Sequence, residues 1–164
     1  MLKDRALKEM ENYFGRDVKR INHARKVTKF ALEILNAEKV TDPFFFNTVL
    51  LSAVFHDIGI HEAERKYRSN SGKYQEIEGP PIARKILEKM DIDEDTIERV
   101  CYIIGGHHTE SKMDKIDFKI LWDSDLIVNL EEDGIYSDKE KVAKIISKSF
   151  KTVEGKKLAE KLYL

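Results

Sequence analysis

The sequence predicts an all-α fold, and three observations support that prediction. Apolar residues recur at spacings of three and four along most of the chain, whereas the alternation typical of strands never persists. Residues that cap helix N-termini stand just before several of these apolar runs. With 164 residues, of which 41% are hydrophobic and 36% charged, the chain can bury one core and has little room for a second. We therefore expect a single-domain helical bundle over residues 1–164.

Asp17 is the expected start of the first helix of functional interest. It follows the turn FGRD and can accept hydrogen bonds from the next backbone N–H groups as an N-cap. Apolar residues from Val18 to Ile34 then fall on one face of the helix. His23 lies at the edge of that face, where a histidine in isolation would more often be a hydrogen-bonded core residue than a ligand.

The stretch TDPFFF begins the next helix, because its aspartate can cap the N-terminus and its proline suits the first helical position. The following run NTVLLSAVF is apolar on nearly every side, which predicts the central and most buried helix. Gly59 is expected to end this helix. His56 and Asp57 would then occupy its last turn, where the chain leaves the core for a cleft.

The polar stretch from His61 to Pro81 is predicted to be the least regular part of the chain, since two glycines and a Pro-Pro pair punctuate it. It is the candidate rim or lid of any site. A helix is expected to begin at Ile82, after the prolines, and Asp93 can cap the next one.

The helix after Asp93 should break at a Gly-Gly pair, just before His107 and His108. A further helix contains the segment WDSD. Helices over residues 137–164 are expected to close the chain, beyond core motifs that span about residues 17–132.

Composition limits the partners of the chain. The 29 basic and 30 acidic residues nearly cancel and are interspersed, which argues against nucleic acid. No apolar run approaches the roughly 20 residues that span a bilayer. Cys101 is the single cysteine, which suits a reducing compartment. We expect a cytoplasmic chain without nucleic-acid or membrane partners, whose oligomeric state the sequence leaves open.

The adjacent pair His56 and Asp57 suggests a metal site. Burying an unpaired carboxylate costs several kcal/mol, and a cation or a tight hydrogen-bond partner must offset that cost. His23, His107, His108 and an aspartate of WDSD are further candidate ligands. Imidazole nitrogens with carboxylate oxygens suit a divalent ion such as Mn, Fe, Co, Ni, Zn or Mg.

Three segments that contain these residues, INHARKVTKFALEI, LLSAVFHDIGI and LWDSDLI, together resemble the HD-domain superfamily of metal-dependent phosphohydrolases. The resemblance covers about residues 17–132. It implies an all-α fold and the hydrolysis of phosphate esters, commonly of nucleotides. It also implies one divalent ion held by His23, His56, Asp57 and a later aspartate.

Within WDSD, the resemblance selects Asp125 as the metal ligand. Two residues along a helix turn a side chain through about 200°, so Asp123 and Asp125 cannot both face one site. Apolar patterning does not decide between them. The small Ser124 followed by Asp125 is similar to the family's Ala-Asp-x-Leu motif, and Asp123 would then be a hydrogen-bonding or capping residue.

The sequence departs from the binuclear members of the superfamily. Many of them have lysine where this chain has Ile60, and a further histidine near the positions of Gln75, Glu76 and Glu78. These differences argue against cyclic-dinucleotide hydrolysis and against a standard two-metal site. The segment GGHHTE nonetheless resembles the His-rich segment of binuclear members, so a second ion held partly by His107 or His108 remains open.

Several neighbouring residues are candidates for catalysis or for binding the substrate. Asp57 could both hold the metal and orient the attacking water, and Glu62 or Glu64 could act as acid or base. His61 is expected to be solvated. A basic run follows, which is either a solvated face or a phosphate-binding segment, because arginine forks match phosphate geometry. Its members are Arg65, Lys66, Arg68 and Lys73.

The sequence thus favours a hydrolase that cleaves a phosphate ester of a nucleotide or small phosphorylated metabolite by attack of a metal-activated water. No Walker loop is present, which argues against transfer driven by ATP. Two alternatives remain: an HD-type oxygenase with two irons, and a non-catalytic regulatory module that keeps the metal.

Overall fold

The computed structural model describes residues 1–164 and contains nine α-helices, two short 3-10 turns and no strand. The predicted all-α fold is therefore confirmed. The 3-10 turns span Glu110–Lys112 and Ile135–Ser137. The helices are α1 (Leu2–Phe14), α2 (Val18–Ala37), α3 (Pro43–Phe55), α4 (Ile60–Tyr67), α5 (Gly72–Lys89), α6 (Glu94–Ile104), α7 (Ile116–Glu132), α8 (Lys139–Ser149) and α9 (Val153–Tyr163).

Aspartate side chains begin four of these helices, and three of the four were predicted from the sequence. Asp17 accepts a hydrogen bond from the backbone N–H of Arg20 at 3.2 Å. Asp42 and Asp93 cap α3 and α6 in the same way, at 2.9 and 3.0 Å. Each cap satisfies an N–H group that has no partner within its own helix, which fixes where the helix begins.

Helix α3 runs through the centre of the molecule. Every residue from Thr48 to Phe55 is buried, and α3 contacts α1, α2, α6 and α7. No single helix has the length and apolar character needed to cross a membrane, although α3 and α4, bent by 42° at their junction, meet that test as a pair.

Two apolar clusters flank α3 and fix its position. One cluster contains Val49 and Ala53 and extends to α2, α7 and the two C-terminal helices. The other contains Leu50 and Phe55 and extends to α1, α5 and α6. Burial of one such large side chain stabilises the fold by about 1.5–3 kcal/mol. The C-terminal end of α3, where the His-Asp pair lies, is therefore held firmly from both sides.

The prediction that residues 61–81 are irregular is wrong. Most of them belong to α4 and α5, and the Pro-Pro pair lies inside α5 and not before it. Gly79 is needed for close packing: a Cβ at this position would lie 2.8 Å from Cγ2 of Ile104 on α6, and a Cβ on Gly59 would lie 2.5 Å from the backbone nitrogen of Gly79. Arg68 ends α4 in the left-handed conformation, with φ of 54°. Gly79 therefore marks a contact between helices, and not a break in a helix.

Candidate metal centre

Four side chains from three parts of the chain converge at the C-terminal end of α3. Nε2 of His23, on α2, lies 3.2 Å from Nε2 of His56 and 3.0 Å from Oδ1 of Asp125, on α7. Oδ2 of Asp57 lies 3.4 Å from both imidazole nitrogens. Nε2 of His56 also lies 3.4 Å from Oδ1 of Asp125. The structure thus brings together the four residues that the resemblance implies.

Hydrogen bonds to the outer ring nitrogens orient both imidazoles. Helix α3 ends at Phe55 and not at Gly59, so His56 lies just beyond it, fully buried. Nδ1 of His56 is 2.8 Å from the carbonyl oxygen of Ala53, which can only accept, so Nδ1 carries the proton. Nδ1 of His23 is 2.7 Å from Oε1 of Glu132. These bonds direct each Nε2 lone pair toward the aspartates.

The charges of this cluster are strongly coupled. Burial by itself would lower the pKa of His56, but the carboxylates of Asp57 and Asp125 outweigh it and raise that pKa well above its ordinary value. The pKa of His23 is raised in the same way against burial, first by its hydrogen bond with Asp125. Burial opposes ionisation of the two aspartates, yet His56 keeps both of their pKa values below the ordinary one.

This set of donors fits a divalent cation. Two carboxylates balance two positive charges, and two imidazole nitrogens supply neutral donors of the kind that first-row metals bind. A single cation could be bound by all four donor atoms at once, whereas a single proton could not. His23, His56, Asp57 and Asp125 are thus the residues that could hold such an ion.

A second group of potential ligands adjoins the first through Asp57. Nε2 of His107 is 3.3 Å from Oδ1 of Asp57, and its Nδ1 is 2.7 Å from the carbonyl oxygen of Ile104. Ligand atoms of Asp57, His107 and His108 all lie within 4.8 Å of one another. Burial, followed by the neighbouring His107, lowers the pKa of His108 to about 4, so this ring is uncharged at neutral pH.

Two of the three residues that stand where binuclear members have histidine contact His108 of this second group. Oε1 of Gln75 is 3.1 Å from Nε2 of His108. The carboxylate of Glu76 accepts hydrogen bonds at 2.9 Å from the backbone N–H of His108 and from Oγ1 of Thr109. Glu78 instead pairs with residues of α4. Gln75 and Glu76 therefore position the turn that contains the two histidines.

Asp123 faces away from the histidines. Its carboxylate accepts hydrogen bonds from the backbone N–H groups of Lys151 and Thr152, each at 2.8 Å, and from Oγ1 of Thr152 at 2.7 Å. Burial raises the pKa of Asp123, against the effect of these hydrogen bonds. The structure thus places Asp125, and not Asp123, beside the histidines. Asp123 instead binds the backbone of the segment just before α9.

A cavity of about 390 Å³ opens onto three of the four convergent side chains, those of His23, Asp57 and Asp125, and Ile60 is its one hydrophobic lining residue. Lys19 and Arg20 supply its positive charge. They precede His23 by four and three residues and therefore lie on the same side of α2, a spacing visible in the sequence although our interpretation missed it. The other lining residues are His23, Asp57, Asn70, Gln75, His108, Asp125, Asn129, Glu132 and Asp133.

The basic run of α4 and the start of α5 does not line this cavity, contrary to its expected role in binding phosphate. Lys66 lies 2.9 Å from Oε1 of Glu78. Lys73 lies over the ring of Tyr74, at 4.8 Å from its centroid. Arg65 pairs with Glu62, and Arg68 lines a separate depression that shares only Asn70 with the cavity. Lys66 thus pairs α4 with α5, whereas Arg65 and Lys73 contact residues of their own helices, which the sequence alone did not reveal.

The candidate acid-base glutamates and His61 also lie outside the cavity. Glu62 is taken up by its ion pair with Arg65, and Glu64 lies 3.3 Å from Nη2 of Arg20. His61 is only partly solvated, with 35% of its side chain exposed: its Nε2 is 2.7 Å from Oδ2 of Asp17, and its ring packs edge-on against Phe14. His61 therefore supports the N-terminus of α2.

Comparison with known proteins agrees with this geometry. The model of the family described as HD domain matches residues 20–148 of the chain. A solved structure, that of a predicted HD superfamily hydrolase from an uncultured Thermotogales bacterium, is similar with 24% sequence identity and a TM-score of 0.66. The similarity covers 96% of this chain and 83% of that one, and at this identity it shows a common fold. No curated protein matches the chain.

Proposed function

Since this chain belongs to the HD domain family, we propose that it is a metal-dependent hydrolase that cleaves phosphate esters of a nucleotide or small phosphorylated metabolite. One observation carries the proposal. Two imidazole nitrogens and two carboxylate oxygens meet at distances of 3.0 to 3.4 Å, at the base of a polar cavity that also contains two cationic side chains. This combination of a possible cation site with two basic side chains supports the proposal of a phosphate-cleaving site.

The ligand residues and the cavity wall would have separate tasks. A divalent cation held by His23, His56, Asp57 and Asp125 would polarise a phosphoryl group and lower the pKa of water. Lys19 and Arg20 would attract the phosphate dianion electrostatically. Arg20 is already held by Asp17 and Glu64, whereas Lys19 forms no ion pair and is free to move toward a ligand.

Glu132 orients His23 but is not one of the four side chains that could hold the cation. Its Oε1 accepts the hydrogen bond of His23 Nδ1 at 2.7 Å, and Nζ of Lys26 lies 3.2 Å from its Oε2. Such a carboxylate fixes the tautomer and the plane of an imidazole ligand. Glu132 also lines the cavity, so it contacts both His23 and the space of the cavity.

The test is an assay of nucleotides and simple phosphate esters with each candidate divalent metal. We expect phosphate release that requires metal and is abolished in Asp57→Asn. The exposed Asp95, far along the chain on α6, gives a matched control, and Asp95→Asn should keep full activity. A properly metallated, folded protein that releases phosphate from none of these esters would contradict the proposal.

One observation favours a second candidate, an HD-type oxygenase with two irons. Asp57 directs Oδ2 to His23 and His56 and Oδ1 to His107, which is how a carboxylate would contact two neighbouring cations. Gln75 beside His108 argues against it, because an amide is a poor ligand for a transition metal. Two irons per chain and a visible absorption band in the purified protein would favour the oxygenase, and a colourless active hydrolase would exclude it.

A further inference from the structure

A second cavity of about 260 Å³ adjoins the first and differs from it in chemistry. Three residues, His108, Asp125 and Asn129, line both cavities. The second cavity adds Trp122 and Leu126 from α7, with His107 and with Ser149 from the end of α8. The cation site therefore lies between a polar space lined by charged side chains and a space with an aromatic and an aliphatic wall.

Four of the residues that line the second cavity lie on one face of α7. Trp122, Asp125, Leu126 and Asn129 follow the spacing of three and four that places side chains on a single stripe of a helix. The side chain that belongs to the candidate metal site is thus adjacent, on the same stripe, to the two apolar ones. Trp122 and Leu126 pack partly against the core and remain partly exposed, so each presents surface to the cavity.

We propose that Trp122 and Leu126 form the subsite for the leaving group, and that this subsite selects phosphate esters whose alcohol portion carries a planar aromatic ring. The proposal rests on the proposed hydrolase function. The phosphate would occupy the space beside Lys19, and the ring would lie against the indole of Trp122. The amide of Asn129 and the hydroxyl of Ser149 offer hydrogen bonds to heteroatoms at the ring edge.

Kinetics with matched pairs of esters test the subsite. AMP and ribose 5-phosphate share the same scissile bond and differ by a base, and 2-phenylethyl phosphate and propyl phosphate differ by a ring. In Trp122→Ala we expect kcat/KM for the aromatic member to fall roughly 10-fold, the scale of one lost stacking contact. The value for the non-aromatic member should change little, and Trp122→Phe, which keeps a ring, should restore most of the loss.

Fluorescence gives a readout that needs no turnover. Trp122 is the single tryptophan of the chain, so selective excitation reports on this cavity alone. We expect a saturable change of emission with adenosine or 2-phenylethanol and none with ribose. If Trp122→Ala does not fold, as judged by its melting curve, Leu126→Ala replaces it in the kinetic comparison, and the fluorescence titration of the unmodified protein still applies.

The outcomes separate this inference from the proposed function. If the unmodified protein cleaves the esters but the ratio between aromatic and non-aromatic members is the same in Trp122→Ala, the subsite is overturned and the hydrolase stands. If it cleaves none of them, the hydrolase proposal fails and the fluorescence titration alone decides. No emission change with either aromatic alcohol would then overturn the subsite as well.

Discussion

Oδ1 of Asp57 lies 3.3 Å from Nε2 of His107, while the other carboxylate oxygen of Asp57 faces His23 and His56 at 3.4 Å. One side chain thus connects two groups of potential ligands. The first group offers four carboxylate or imidazole donors. In the second group, His108 lies beside the amide of Gln75. The two groups should therefore differ in their affinity for metal.

We predict that the purified protein holds about one divalent ion tightly per chain, since metal binding to a preformed set of donors also stabilises the fold. Chelation should lower both the activity and the melting temperature. Elemental analysis before and after dialysis against EDTA measures the stoichiometry. The His107→Ala variant should retain the tightly bound ion. An unmodified protein that contains no metal and whose stability chelation does not change would contradict the prediction.

The two aspartates of WDSD should respond differently to substitution. Asp125→Ala removes an oxygen that lies 3.0 Å from His23, so we expect loss of the ion and nearly all activity. Asp123→Ala leaves the N–H groups of Lys151 and Thr152 without their acceptor, which costs about 1–3 kcal/mol for each such buried group. That variant should keep the ion and lose stability.

Metal content and urea unfolding of the two variants provide the comparison. The expected pattern is an Asp125 variant that is metal-free and about as stable as the chelated unmodified protein, and an Asp123 variant that is metallated but less stable than the metallated unmodified protein. The reverse pattern would show that α7 presents Asp123 to the site, and it would overturn the alignment of this motif.

The same helix shows what a sequence can predict. That Asp123 and Asp125 point in different directions follows from helical geometry alone. The N-caps at Asp17 and Asp42 were equally predictable, because a cap and the N–H group that it satisfies are near neighbours in the chain. The length and the apolar character of α3 likewise made its central position clear.

The errors concern contacts between distant residues. Gly79 was interpreted as a break in the chain, whereas its lack of a side chain makes room for Ile104, 25 positions later, in a contact that leaves no local signal. Lys66 was a candidate for binding phosphate, with a solvated face as the alternative, because it follows the His-Asp pair closely. Which way it points depends on the orientation of α4 against Glu78 of α5, which only the folded structure determines.

We predict that the metal-free protein becomes less stable as pH rises above neutrality. The carboxylates beside His56 raise its pKa above 6.5 even though burial acts to lower it. A histidine whose pKa is raised on folding stabilises the folded state fully below its unfolded pKa, and it loses that contribution as the pH rises through the folded pKa. The aspartates, whose pKa values are lowered, stay ionised throughout this range.

Melting temperatures in EDTA between about pH 6.5 and pH 8.5 provide the measurement. They should fall with rising pH, and His56→Gln, which cannot titrate there, should show a flatter profile. With metal present the trend should weaken or reverse, because protons compete with the ion for the imidazoles. A melting temperature of the chelated protein that is constant or rises over this range would refute the assignment.

The last prediction concerns the positive charges of the cavity. Lys19 lines the cavity, is exposed and has no ion-pair partner, so Lys19→Ala should raise KM for a phosphorylated substrate several-fold while kcat changes less. Stability should hardly change, because an exposed charge contributes little to folding. Lys66→Ala is the matched control: Lys66 pairs with Glu78 outside the cavity, and its loss should leave KM unaltered. If Lys66→Ala raises KM and Lys19→Ala does not, phosphate approaches from α4, and the basic run first expected to bind it regains that role.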